Sequence, residues 1–193
     1  MLLGLTGGIG AGKSTALAAF EQLGCPTLSS DAIVRALYGR PAVRRAVVEH
    51  FGPEVLGADG EVSRPELARR VFADADARRW LEQLLHPLVA EALERWRAEQ
   101  EAARPGALLV HEVPLLYEAG SADRYDLVVL ITAPDDVRRA RVPERFDERA
   151  ATQLPEADKV ARADRVYVND GTPAELERWV AELVAGLESA HSP

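Results

Sequence analysis

Lysine is nearly missing from this 193-residue chain: of 23 basic residues, only Lys13 and Lys159 are lysines. Arginine serves wherever a cation of any shape will do, so each lysine asks for a reason. A compact ammonium on a flexible stem enters a phosphate cradle that a planar guanidinium does not fit. For Lys159 the plainer expectation is a solvated helix position. Cysteine is scarcer still. Cys25 alone excludes an intramolecular disulfide, nothing in the sequence resembles a metal cluster, and Cys25 itself reads as a small buried hydrophobe ahead of a strand. No apolar run approaches the length of a membrane span, and Met1-Leu2-Leu3 lacks a basic flank, so it is expected to be strand and not leader. A soluble cytoplasmic protein, without a membrane partner, is the expectation. With 31 acidic residues the net charge is -8, which argues against a general nucleic-acid surface but leaves room for an anionic small substrate in an arginine-lined cleft. Internal repeats and low-complexity linkers are absent too, so the 193 residues can form one core with insertions.

What is present begins at residue 7. Gly7-Gly8-Ile9-Gly10-Ala11-Gly12-Lys13-Ser14 matches G-x-x-x-x-G-K-[ST] in full. Average residue usage gives that pattern by chance in about one chain of this length in a hundred. Its context lowers the odds further. Leu2 to Thr6 is a short apolar run fit for a buried parallel strand, and the residues after the loop read as a helix with Leu17, Phe20 and Leu23 inward. Glycines let successive N–H groups converge on an anion, and the helix adds its positive end. The motif implies an ATP or GTP site in which Lys13 reaches the β- and γ-phosphates and Ser14 holds Mg²⁺.

Further along, Cys25 to Ser29 reads as a second strand and Ser30-Asp31 opens a helix through Tyr38. A helix-rich stretch follows to residue 104. In it Ser63-Arg-Pro-Glu66 has capping-box spacing, and Asp74 to Glu101 reads as a long helix interrupted near Pro87. Apolar runs at residues 107–113, 125–132 and 165–169 are expected strands. Thr172-Pro173-Ala-Glu175 then caps a closing helix with Leu176, Trp179, Val180, Leu183 and Leu187 on one stripe. Strands alternating with helices predict an α/β fold, a doubly wound parallel five-stranded sheet with the P-loop at its carboxyl edge. The expected division is a nucleotide-binding core of residues 1–30, 106–142 and 164–193, a helical substrate-binding insertion over 31–105, and a short lid over 143–163.

Five segments narrow the field: Gly4-Leu-Thr6 running into the loop, Ser30-Asp31-Ala-Ile-Val-Arg35, Leu84-Leu-His86-Pro87, Val113-Pro-Leu-Leu-Tyr-Glu118 and Ala163-Asp-Arg-Val-Tyr-Val-Asn169. Together, in order and from residue 3 to about 185, the chain resembles dephospho-CoA kinase. That resemblance implies MgATP-dependent phosphorylation of the ribose 3′-hydroxyl of dephospho-CoA, the last step of coenzyme A synthesis, by a monomer or weak homo-oligomer. It implies Lys13, Asp31 and Arg141 as catalytic residues. Gly8, Gly10, Ala11, Gly12, Lys13, Ser14, Thr15, Arg145 and Asn169 would hold ATP, and Ser14 would hold Mg²⁺. Thr6, Asp31, Arg35, His86 and Leu115 would hold the acceptor. Each residue also has a plainer reading: Asp31 as a helix cap, Arg35 as its i+4 ion-pair partner, His86 as an interior side chain, and Pro114-Leu115-Leu116 as a strand-ending turn.

Arg138, Arg139, Arg141, Arg145 and Arg149 crowd one short segment, with 141, 145 and 149 at i, i+4, i+8 spacing. As a lid they would neutralise charge on the transferring group; as a solvated charged helix they would do nothing. Gln153 and Lys159 match lid-side positions of the family. Three departures stand out. Ser29-Ser30-Asp31 replaces the family's Asp-x-Asp, Glu112 stands where Asp is usual, and the lid is shortened, with Pro143 breaking the helix before it. A different small-molecule P-loop kinase, for a nucleotide or a sugar acid, is the competing enzyme reading. A GTPase switch would need an Asn-Lys-x-Asp guanine reader, and neither lysine sits in one.

Overall fold

The computed structural model describes residues 1–191, leaving aside the side chains of Ala73, Arg145, Glu148, Arg149 and His191. The chain divides into two compact units, Met1–Ser29 with Gln100–Pro193, and Ser30–Glu99.

The first unit is built on five parallel strands in the order β2-β3-β1-β4-β5: β1 (Leu2–Thr6), β2 (Thr27–Ser29), β3 (Leu109–Glu112), β4 (Leu127–Thr132) and β5 (Arg165–Val168). β1, β3 and β4 lie at the centre and are buried almost throughout, as a parallel sheet covered on both faces requires. On one face Leu3, Leu5, Val129 and Ile131 pack with Ala16, Ala19 and Phe20 of α1 (Lys13–Gln22) and with Leu176, Val180 and Val184 of α9 (Pro173–His191). Side chains of this kind stabilise by roughly 1.5–3 kcal/mol each when fully buried. The opposite face packs Leu116, Tyr117 and Val128, with Tyr125 against them. α9 opens on the expected reciprocal cap: Thr172 N donates to Glu175 Oε2 at 2.7 Å, and Glu175 N donates back to Thr172 Oγ1 at 3.4 Å.

The second unit is helical: α2 (Ser30–Tyr38), α3 (Pro41–Phe51), α4 (Arg64–Ala73) and most of α5 (Ala75–Ala103), with a small bridge between Leu56 and Val62. Ile33, Leu37, Val43, Val47, Val55 and Leu67 are buried in it, and His50 stacks on Trp80 with ring centres 3.8 Å apart.

Three expectations fail for physical reasons. Leu23 is 47% exposed because α1 stops at Gln22 and Leu23 serves as its C-cap. α5 runs through Pro87 unbroken. The backbone bond lost at proline costs about 3 kcal/mol, and the buried contacts of Leu85 and Leu93 on either side hold the helix together. Ser63 caps α4 without a side-chain bond, because Glu66 is drawn instead to Arg69 and Arg70.

Candidate active site

β1 delivers the chain at Thr6 and α1 takes it up at Lys13, so residues 7–12 form the loop at the carboxyl edge of the sheet. Gly12 adopts φ 105°, which side chains rarely tolerate, and a Cβ there would overlap the amide of Asn169. That amide donates to Ala11 O at 2.8 Å, so the buried Asn169 braces the loop from β5's end. Arg141 braces it from another side, donating to Gly10 O at 3.3 Å and to Asn169 O at 3.1 Å. Within the loop, Ala11 N donates to Gly8 O at 3.2 Å, and Lys13 Nζ reaches the same carbonyl at 3.1 Å. Gly8 leaves room for the guanidinium of Arg138, which would collide with any Cβ. α1 has no side-chain cap and no acid in its first turn, so nothing in that turn offsets its positive end. The hydroxyl-bearing Ser14 is exposed in the same turn, and Thr15 is half-buried beside it.

Thr6, the last residue of β1, is 1% exposed, and its hydroxyl has no hydrogen-bond partner. At the ends of β2 and β3, Ser29 Oγ donates to Glu112 Oε2 at 2.7 Å. The two positions that depart from the family pattern are therefore bonded to each other. Leu115 is 39% exposed, whereas its neighbour Leu116 is fully buried in the core. Below them His111 is buried and lies 2.8 Å from the Tyr125 hydroxyl through Nδ1. Loss of hydration lowers its pKa from 6.5 to about 4, which keeps the ring neutral.

In the helical unit, Asp31 and Arg35 stand one turn apart on the exposed side of α2, while Ile33, Leu37 and Tyr38 fill its buried side. Among the described residues no ion pair joins them. His86 is exposed on α5 rather than interior.

The arginine segment is not one helical face. α6 (Asp135–Arg141) ends at Arg141, a tight turn covers Pro143–Arg145, and α7 (Phe146–Ala150) follows, so positions 141, 145 and 149 fall on three elements. The side chains of Arg145 and Arg149 lie outside the described residues. Arg138 is 6% exposed and far from solvated: Asp135 accepts from it at 2.5 Å, Glu156 lies 3.9 Å away, and the Phe146 ring lies under its guanidinium at 5.3 Å. Arg139 stays exposed and pairs with Asp147 at 2.7 Å, holding that carboxyl below its usual range.

Lys159 overturns its expected solvated position. It closes the first turn of α8 (Glu156–Val160), is wholly buried, and holds Nζ 3.2 Å from Glu118 Oε1. Glu118 Oε1 also accepts from Leu154 N at 2.8 Å. Sequence reasoning missed the Lys159–Glu118 pair and the bracing by Asn169 and Arg138. The signals within reach were the rarity of lysine and the glutamate closing Val113-Pro-Leu-Leu-Tyr-Glu118.

A family model described as dephospho-CoA kinase matches residues 1–175. The dephospho-CoA kinase of Anaeromyxobacter dehalogenans is 42% identical over 195 residues, covering 96% of this chain and 92% of that protein. Among solved structures, the protein TT1252 from Thermus thermophilus superposes with TM-score 0.80 at 33% identity, covering 97% of both chains. The dephospho-CoA kinase from Campylobacter jejuni superposes at 0.72 and 21% identity over 99% of this chain and 98% of the other, a likeness of fold.

Proposed function

The chain belongs to the dephospho-CoA kinase family, and we propose from that membership that it moves the γ-phosphoryl group of ATP onto the ribose 3′-hydroxyl of dephospho-CoA, giving coenzyme A and ADP. The observation that carries this reading is the cradle itself: a complete P-loop, an uncompensated helix end, and Lys13 folded over Gly8.

Phosphoryl transfer asks little covalent chemistry of a protein; positioning and charge neutralisation dominate it. The cradle holds the β- and γ-phosphates on backbone N–H groups. Lys13, 3.1 Å from a carbonyl of its own loop, exchanges that contact for phosphate oxygens. Arg141 supplies a second cation at the loop's rim; Arg145, whose side chain lies outside the described residues, is assigned to ATP by the family resemblance alone. Asn169 acts by holding Ala11 in place. The acceptor oxygen bonds to the γ-phosphorus as the bond from that phosphorus to the β,γ-bridging oxygen breaks. The hydroxyl proton passes to the carboxylate of Asp31, two residues beyond β2. Arg35, one turn along α2, Thr6, Leu115 and His86 serve acceptor binding.

The donor set fits Mg²⁺. Ser14 offers an exposed hydroxyl oxygen, and among the described residues no group of three or more His, Cys, Asp or Glu forms a cage of its own. A small hard cation that keeps its waters and binds largely through substrate phosphates needs no such cage. Ser14 Oγ would hold the ion, which would supply positive charge to offset that of the triphosphate. Among the described residues no helix is long and apolar enough to cross a membrane. In this reading the enzyme is cytoplasmic and a monomer or weak homo-oligomer.

ADP release with MgATP against dephospho-CoA, CMP, AMP, shikimate and gluconate tests the reading. Turnover is expected with dephospho-CoA and background with the rest; turnover confined to any other acceptor overturns it.

A further inference from the structure

Six buried side-chain polar atoms of the described residues lack a hydrogen-bond partner, and five of them surround one short helix, α8: Tyr117 Oη, Glu118 Oε2, Arg138 Nε, Glu156 Oε1 and Lys159 Nζ. Such atoms are rare in folded proteins because each forfeits its hydration without replacement. Lys159 shows the cost most plainly. Its ammonium is wholly buried and 3.2 Å from Glu118 Oε1, so attraction between the charges is set against its desolvation. Replacing such a pair by well-packed apolar side chains is often neutral or stabilising, so stability alone does not explain it. Nor does habit, in a chain that uses arginine at nearly every other basic position.

Geometry supplies a reason. Glu156 and Lys159 stand one turn apart on α8 and engage different elements of the same unit, α6 and the turn after β3. Glu156 meets Arg138, whose guanidinium lies against Gly8 of the phosphate cradle. Lys159 meets Glu118, in the turn that follows β3 and presents Leu115. The backbone just before the helix joins in, since Leu154 N donates to the same Glu118 oxygen.

We propose that α8 is a positioning strut for the transfer: through Glu156 and Arg138 it sets the cradle, and through Lys159 and Glu118 it sets the turn after β3 on the acceptor side. Lys159 is then a positioning residue that acts through Glu118 and touches no substrate. The proposal rests on the kinase reading above, and its experiment separates the two.

Lys159→Met, Glu118→Gln, the double variant and Glu156→Gln are compared in thermal midpoint, ADP affinity by calorimetry, and KM for dephospho-CoA. Lys159→Met is expected to lower the midpoint and raise KM about tenfold, with ADP affinity held within about twofold, since displacement of a positioning element is read in the substrate it serves. Glu156→Gln is expected to do the reverse, weakening ADP by about fivefold and leaving KM within about twofold. The double variant is expected to recover the midpoint, because no lone buried charge remains, but not the KM. Recovery of KM together with the midpoint would make the pair purely structural and overturn the proposal. So would failure of the double variant to fold, or equal losses at both substrates from Lys159→Met. A natural chain inactive on dephospho-CoA defeats the kinase reading instead, while ADP affinity in Glu156→Gln still decides the cradle end of the strut.

Discussion

The side chains of Asn169 and Arg138, which meet the phosphate cradle, and those assigned to the acceptor on α2 and α5 are held in opposite ways. Asn169 and Arg138 are buried, and each contacts a named partner: Ala11 O and Asp135. Asp31, Arg35 and His86 stand on exposed helix positions, and what anchors them is the apolar side of their helices, Ile33 and Leu37 in α2 and Leu85 in α5. A triphosphate is the same in every reaction of this type, so a rigid, pre-aimed cradle serves it, and preorganisation removes the cost of orienting donors during transfer. An acceptor has to be admitted, oriented and released, and exposed side chains on firm helices suit that traffic.

The sharpest way to break the contrast is Lys13→Ala. The cradle reading expects kcat to fall on the order of a thousandfold, as loss of a preorganised charge at the transferring group does, and the thermal midpoint to stay within about 2 °C, because Lys13 is only half-buried and its ammonium bonds to Gly8 O of its own loop. Steady-state kinetics beside a melting curve checks both. A variant retaining more than about a tenth of kcat would remove Lys13 from the transition state.

Next in size is a pH effect confined to the buried side. His111 is neutral in the fold with its pKa lowered to about 4 from 6.5 by burial. The unfolded chain therefore takes up a proton at this residue first as pH falls. Stability tied to the neutral ring is complete above pH 6.5 and is lost on acidification between 6.5 and about 4, by roughly 3 kcal/mol in all. Urea unfolding of the natural chain and of His111→Gln at pH 7 and pH 5 isolates the effect, since the carboxylates titrate in both. The natural chain should lose roughly 2 kcal/mol more than the variant across that interval. Equal losses would mean that His111 is solvated in the fold.

The same contrast explains what could be read from residue order. The cradle is contiguous: one strand, one loop and one helix start within fourteen residues, with spacing dictated by a single anion. The central strands β1, β3 and β4 were legible because each lies in an apolar run of its own, and the stripe of α9 because its period is 3.6, whereas β2 and β5 are short and mixed in polarity. What escaped depends on distant pairing. Lys159 and Glu118 are far apart in sequence, and no periodicity at either position marks a buried cation. Asn169 and Ala11 are separated by 158 positions, so the bracing bond leaves no local trace. The lid arginines misled because constant spacing means one face only while a helix continues, and this one stops at Arg141. Ser29 and Glu112, each an oddity alone, make sense as a hydrogen-bonded couple across neighbouring strands.

The smallest expected effect sharpens the contrast most. Asp31 is exposed in the first turn of α2, where a carboxylate also favours the helix end by a few tenths of a kcal/mol. Asp31→Asn keeps the size, the capping oxygen and the exposure but removes the proton acceptor. If Asp31 serves only the helix, stability falls slightly and kcat stays put. If it takes the proton of the acceptor hydroxyl, kcat falls roughly ten- to a hundredfold while unfolding free energy changes by less than about 0.5 kcal/mol. That loss is smaller than for Lys13, since a loose transition state demands little of a base and much of the charges around the phosphoryl group. ADP affinity should be unchanged, because the cradle and all its braces lie in the other unit of the chain. Kinetics, calorimetry and urea unfolding on one variant therefore separate the alternatives. Unchanged kcat returns Asp31 to capping, and weakened ADP binding shows that the two regions are not as independent as their burial suggests.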